Sequence, residues 1–218
     1  MRSGKSGIAD TMGTAAEEQA LIARILKGEQ DLFHELIRPY ERIVYLTAMS
    51  VVKNQSESED VAQEAMLKAF RGLARFRAES RFSTWLVSIV LNEARGRLRK
   101  TNRMVMESLD EPPEEDFTPV LLADWREIPS ESLEREELAK QIEQAVQELP
   151  LIYREVFVLR DQNELSTEEV AQALGLSTSL VKVRLHRARM LLQKRLAPYL
   201  KQAFSTGKQW WHVIGGRI

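Results

Sequence analysis

"LSTEEVAQALGLSTSLVKVRLHRARMLLQKRL", residues 165–196, decides how this chain folds. Ser166 followed three residues later by Glu169 is a capping box, in which hydroxyl and carboxylate each satisfy a backbone N–H at a helix start. Val170, Ala171 and Leu174 then recur at helical spacing, and Gly175 stands where a left-handed backbone ends that helix. Ser177 is placed to cap a second helix, whose apolar positions Val181, Leu185, Ala188 and Leu192 are four, three and four apart. Two caps, a glycine turn and an acid-free second helix together make a helix-turn-helix. Its outer face carries Ser179, Lys182, Val183, His186, Arg187 and Met190, the face that enters the DNA major groove in this motif. Lys182 and Arg187 suit guanine O6 and N7, Val183 suits a thymine methyl, and Ser179 and His186 are weaker polar readers. Arg184, Arg189, Lys194 and Arg195 suit phosphates, which fix register without reading sequence.

Working outward, charge is segregated along the 218 residues even though the net charge is −1. Residues 71–103 hold nine Lys/Arg against two Glu, 104–137 hold twelve acids against two Arg, and 177–208 hold eight Lys/Arg and no acid. Two basic blocks separated by an acidic one predict two polyanion-binding surfaces joined by a segment that avoids or mimics polyanions. A composition 44% apolar and 29% charged supports real cores. The absence of Cys excludes disulfides and thiolate chemistry. No apolar run nears the roughly 20 residues that span a bilayer, so no membrane insertion is expected and the reading is a soluble, cytoplasmic protein. No nucleotide-binding glycine loop or paired ligand set occurs, so neither catalysis nor a metal or cofactor is expected.

Apolar residues keep the helical period almost everywhere, predicting an all-α protein of two small helical domains. After a flexible lead-in (1–16), the first domain spans 17–103, with breaks near Gly28 and Pro39. A helix is predicted from "SESEDVAQEAMLKAFRGL", capped by Ser56 with Glu59, with Val61, Ala65, Leu67 and Phe70 on its packing side. Another begins near Ser80, with Phe82, Trp85, Leu86, Ile89 and Val90 as its stripe, and Arg95, Arg97, Arg99 and Lys100 follow. Residues 104–131, with four Pro and many acids, read as an acidic linker. The second domain covers 132–200; its first helix carries Leu138, Ile142, Ala145, Val146 and Leu149 and stops at Pro150. An extension, 201–218, carries Trp210 and Trp211, which fit packing or partner contact better than anchoring in a membrane.

These segments resemble the extracytoplasmic-function (ECF) sigma factors, the small initiation subunits of bacterial RNA polymerase. "ESEDVAQEAMLKAF" is similar to the family's polymerase-docking segment, "FRAESRFSTWLVSIVLNEARGRLRK" to its promoter-melting and −10-reading segment, and the stretch opening "LPLIYREVFVLR" to its −35-reading domain. The resemblance implies a region 2 helical bundle over 17–103 and a region 4 helix-turn-helix over 132–200. It implies core-polymerase binding by Asp60, Gln63, Glu64, Leu67 and Phe70. It implies −10 DNA contacts from Phe76, Arg77, Glu79, Ser80, Arg81, Asn92, Arg95, Arg99 and Lys100, with the loop 76–80 receiving a flipped base, and −35 contacts from Ser179, Lys182, Val183, Arg184, His186, Arg187 and Arg189. Implied partners are core RNA polymerase, promoter DNA and an anti-sigma factor, and the linker would run through polymerase channels made for nucleic acid. The aromatics Phe82 and Trp85 read as core, with Trp85 propping the helix. Three departures stand out: Glu57 and Ser58 where the family often has Asp and Ala, Ala78 where Gly is common, and Ser88 where Arg is frequent. A polymerase-independent helix-turn-helix regulator would explain 166–196 but leave 56–103 without a role; a helical adaptor would show no base specificity.

Overall fold

The structure is a computed structural model that describes residues 15–100 and 132–204, with side chains described over 16–100 and 139–197. The lead-in to residue 14, the acidic linker, the Leu138 side chain and the tail with Trp210 and Trp211 lie outside the described residues. Among the described residues all regular structure is helical. The first half comprises α1 (Ala15–Leu26), α2 (Leu32–Ile37), a 3₁₀ turn (Arg38–Tyr40), α3 (Glu41–Val52), α4 (Gln55–Gly72) and α5 (Phe82–Lys100). The second comprises α6 (Ser132–Glu148), α7 (Leu151–Phe157), a π turn (Val158–Gln162), α8 (Thr167–Leu174) and α9 (Thr178–Phe204).

In the first half α3, α4 and α5 pack on one another around Val44, Ala48, Val61, Ala65, Leu86 and Val90. The small residues Ala48, Ala65, Ala69 and Ala94, all fully buried, let the helices approach closely. The α1 helix is fastened by the Tyr40 hydroxyl, which donates to Glu18. Burial and that hydrogen bond raise the phenol's pKa far above its ordinary range, so it stays a donor. In the second half α9 lies across α6, α7 and α8, burying Val181, Leu185, Ala188 and Leu192. The halves also pack on each other, α5 against α8 and α3 against α7, and their buried residues form one continuous cluster.

Two local expectations are corrected. Asn54, and not Ser56, caps α4: its Oδ1 accepts from Glu57 N at 2.9 Å, so Ser56 lies in the first turn. Asn54 has the extended backbone that a cap needs, φ −135° and ψ 130°, directly after the left-handed Lys53 that ends α3. The α5 helix starts at Phe82, two residues later than expected: its first helical bond runs from Trp85 N to the Arg81 carbonyl at 3.1 Å, and residues 78–80 stay in the loop. At the helix-turn-helix the reading holds. The Ser166–Glu169 box is present in both directions, Gly175 has φ 69°, and Ser177 Oγ accepts from Leu180 N at 3.2 Å. Replacing Asn54 by Ala is expected to lower stability by about 1 kcal/mol, whereas Ser56→Ala should change it by a few tenths; urea unfolding of the two variants measures both.

Candidate nucleic-acid interface

The recognition helix is built as its sequence dictates. With Val181 and Ala188 fully buried, Ser179, Lys182, Val183 and His186 are exposed and Arg187 and Met190 are half-buried. Val183 is 45% exposed, an apolar side chain on a charged face, suited to a thymine methyl. The capped N-terminus and the glycine turn aim this face away from the core. The flanking arginines divide. Arg189 forms a two-pronged pair with Asp161 of the π turn, at 2.8 and 2.7 Å. That pairing raises the guanidinium's pKa, so it stays charged while bracing α9. Arg195 pairs with Glu148 at the end of α6. Arg184 is half-buried, and its Nε has no hydrogen-bond partner among the described residues. Arg187 lies 3.5 Å from the Tyr153 hydroxyl.

The second basic surface lies on α5. At 100° per residue, Thr84, Ser88, Asn92, Arg95 and Arg99 fall within roughly 80° of one another. Asn92, Arg99 and Lys100 are exposed. Arg95 is not: its Nε and Nη2 donate to the two carboxylate oxygens of Glu155 at 3.0 and 2.9 Å. Ser88 turns inward and donates to the carbonyl of Trp85 at 2.6 Å. The loop before α5 exposes Arg77, Glu79 and Arg81, with Ser80 half-buried. Arg81 lies 3.5 Å from Glu169 of α8. Phe76 closes the loop inward, with ring centroids 5.6 Å from Phe82 and 5.2 Å from Trp85. Trp85 in turn packs beside Gly72, where an added Cβ would lie 3.6 Å from the indole ring, the propping role expected of it.

On α4 the expected docking residues do not act alike. Asp60, Gln63 and Leu67 are exposed, Glu64 is half-exposed, and Phe70 is half-buried with its ring 5.0 Å from Phe33. Leu67, assigned to the packing side, is 49% exposed, while Val61, Ala65 and Ala69 supply that side. Asp60 accepts from Arg97 at 2.7 Å, so one exposed pair links α4 to the basic end of α5.

Sequence reasoning passed over Arg154, Glu155, Asn163 and Glu169 as groups that join the halves. Arg154 is fully buried; it donates to the carbonyl of Ser50 on α3, and to those of Leu149 at 2.6 Å and Gln147 at 3.0 Å. Asn163 donates to Thr47 Oγ1 at 3.1 Å, both residues being buried. The available signal was "LIYREVFVL", in which a charged pair interrupts an otherwise apolar run.

This geometry first defines a class, a DNA-binding protein with a helix-turn-helix and a second basic helix. Comparison with known proteins narrows it. Sigma-70 region 2 matches residues 36–104 and sigma-70 region 4 matches residues 139–192. The chain is 32% identical over 201 residues to the RNA polymerase sigma-H factor of Pseudomonas aeruginosa, covering 88% of this chain and 100% of the relative. It is 33% identical over 177 residues to the ECF RNA polymerase sigma factor SigW of Bacillus subtilis, covering 80% and 94%. Among solved structures, CnrH in complex with the cytosolic domain of CnrY is similar at TM-score 0.58 and 26% identity, over 83% of this chain and 97% of that one. The chain therefore belongs to the sigma-70 family, as an ECF-type RNA polymerase sigma factor. It is a transcription-initiation factor, not an enzyme.

Ala78 explains a departure from the family. Its φ of 54° is left-handed, where a Cβ costs about 1–2 kcal/mol and glycine costs little. Ala78→Gly relieves that strain, partly offset by the greater freedom of glycine in the unfolded chain. A net stabilisation on the order of 0.5 kcal/mol is expected in thermal melts; destabilisation would show that the methyl makes a compensating contact.

Proposed function

We propose that the chain works as an alternative sigma factor in the following way. It docks on core polymerase through the exposed face of α4, with Asp60, Gln63, Glu64 and Leu67 at the contact and Phe70 supporting them. The α9 face from Ser179 to Arg187 reads the −35 duplex, and Arg184 supplies a phosphate contact. Arg189, held by Asp161, orients that helix and reaches DNA only at its edge. The loop 76–81 receives a base flipped from the −10 element, and Asn92, Arg95, Arg99 and Lys100 hold the melted strand. The loop offers donors and an acceptor (Arg77, Ser80, Arg81, Glu79) close in sequence to the half-buried rings of Phe76 and Trp85, which suits a base removed from its stack, while Phe82 is buried behind them. No step requires chemistry by this chain: polymerase makes the bonds, and binding energy opens the duplex. Such work places the protein in the cytoplasm, beside polymerase and DNA. The observation that carries the reading is the coexistence of an exposed basic face on α9 and a polar loop, 77–81, leading into a basic helix on α5.

A polymerase-independent regulator is the weaker reading, since it leaves Asp60, Leu67 and the loop without a task. Transcription by purified core polymerase, with and without this protein, on a pooled library of genomic promoter fragments separates the two. Protein-dependent transcripts that share two spaced upstream elements are expected; absence of core binding would overturn the proposal. In the same assay, replacing residues 77–80 by four glycines should abolish strand opening while leaving polymerase binding intact. Reversing Asp60 and Glu64 to Lys should weaken core binding at least tenfold, about 1.4 kcal/mol. Losing the exposed Asp60–Arg97 pair itself costs under about 1 kcal/mol of stability, so circular-dichroism melts should barely move.

A further inference from the structure

The second half holds its recognition helix by more than an apolar stripe. Around α9, at 100° per residue, Val181, Leu185, Ala188 and Leu192 define the buried arc, and the exposed Ser179, Lys182, Val183 and His186 lie roughly 140° from its centre. Arg189 and Arg195 fall on opposite edges of the buried arc, about 70° to one side and about 50° to the other. Each is tied to an acid of another element. Arg195 meets Glu148 of α6, but the two side chains are 53% and 43% exposed, so that pair holds loosely. Arg189 meets both carboxylate oxygens of Asp161 in the π turn, at 2.8 and 2.7 Å, and the Asp161 side chain is only 12% exposed. A two-pronged pair with a nearly buried partner fixes direction as well as distance. Arg189 also stands close to two helical turns beyond Lys182 and within roughly 20° of it around the axis. Unpaired, it would extend the basic face along the groove as one more phosphate ligand.

We infer that Asp161 is a positioning residue for −35 reading, which sets the rotation of α9 about its own axis and withholds Arg189 from the phosphate backbone. The inference rests on the assignment of α9 to the −35 duplex made above. Rotation matters because base edges are read by hydrogen bonds of narrow geometry. A helix with its side chains is about 10–12 Å across, so turning it by about 20° moves a side-chain tip roughly 2 Å, enough to break a bond to a base edge. Charge attraction to phosphates tolerates the same turn. Asp161 therefore lowers affinity for DNA in general and raises discrimination, without touching a base.

The test uses full-length protein on core polymerase, a promoter recovered from the pooled library, and the same fragment with its −35 element scrambled. Competition binding over a series of salt concentrations follows both fragments. Asp161→Asn, close in shape, and Asp161→Ala should bind the scrambled fragment about threefold more tightly than wild type and lose roughly fivefold in discrimination. Their salt dependence should steepen by about 0.9 in slope, one added phosphate contact. Arg189→Ala should lose the same discrimination with neither the gain nor the steeper slope, and adding Asp161→Ala to it should change nothing further. Asp161→Glu keeps the charge and should restore the wild-type slope. Glu143→Gln makes the same charge change at an exposed site of α6 and should leave discrimination as it is. If Asp161→Asn weakens binding to both fragments by one factor, the loss is purely structural and the inference is overturned. A gain of equal factor on both fragments also overturns it, as a charge effect alone. Wild type that cannot tell the fragments apart overturns the −35 assignment itself. Wild type that discriminates, beside Asp161 variants that discriminate equally, overturns the positioning role alone.

Discussion

A single buried cation sets the relation between the two halves. Arg154 has no solvent contact, and removing a guanidinium from water costs several kcal/mol unless acceptors surround it. The acceptors it finds are helix ends. Ser50 is within the last turn of α3, and Gln147 and Leu149 flank the end of α6, where carbonyls lack intrahelical partners and the helix dipole is negative. One side chain thus terminates a helix of each half and lies on the seam between them. Asn163 closes the neighbouring gap through Thr47. That bond depends on the π turn, whose extra residue per turn brings Asn163 to the α3 surface and presents Asp161 to Arg189.

The same seam explains how α5 carries two tasks. Its inner arc (Leu86, Val90, Ala94) is buried against α3 and α4, and an adjacent arc from Thr84 to Arg99 faces α8, α7 and solvent in turn. A helix basic on that arc repels itself and attracts any polyanion. Glu155 and, more loosely, Glu169 neutralise part of that charge.

Much of this was legible in the sequence because its signals are local. Caps, the glycine turn, the 4-3-4 spacing on α9 and the stripe on α5 depend on residues a few positions apart, and the structure reproduces them. The misplaced α4 cap shows the limit of that reasoning: "NQSESE" offers three polar candidates, and the left-handed Lys53, invisible in composition, selects Asn54. The exposure of Leu67 and the pairing of Arg95 were not legible for a different reason. Each depends on which helix arrives from far along the chain, sixty residues in the case of Glu155. Charge segregation announced two polyanion surfaces. It did not announce that acids inside the second half, Glu155 and Glu169, and not only those of the linker, answer the basic face of the first.

Ion pairs set the register of this seam more than its strength. A buried carboxylate–guanidinium pair gives little net stability, because desolvation offsets most of its attraction, but it fixes register closely. Exchange of the Glu155 oxygens for another pair of acidic oxygens would leave Arg95 with equivalent hydrogen bonds. What resists opening is the apolar contact of α3 with α7 and the hydrogen bonds of Arg154 and Asn163. Glu155 therefore fixes the register of the two halves, whereas the α3–α7 seam adds apolar contact.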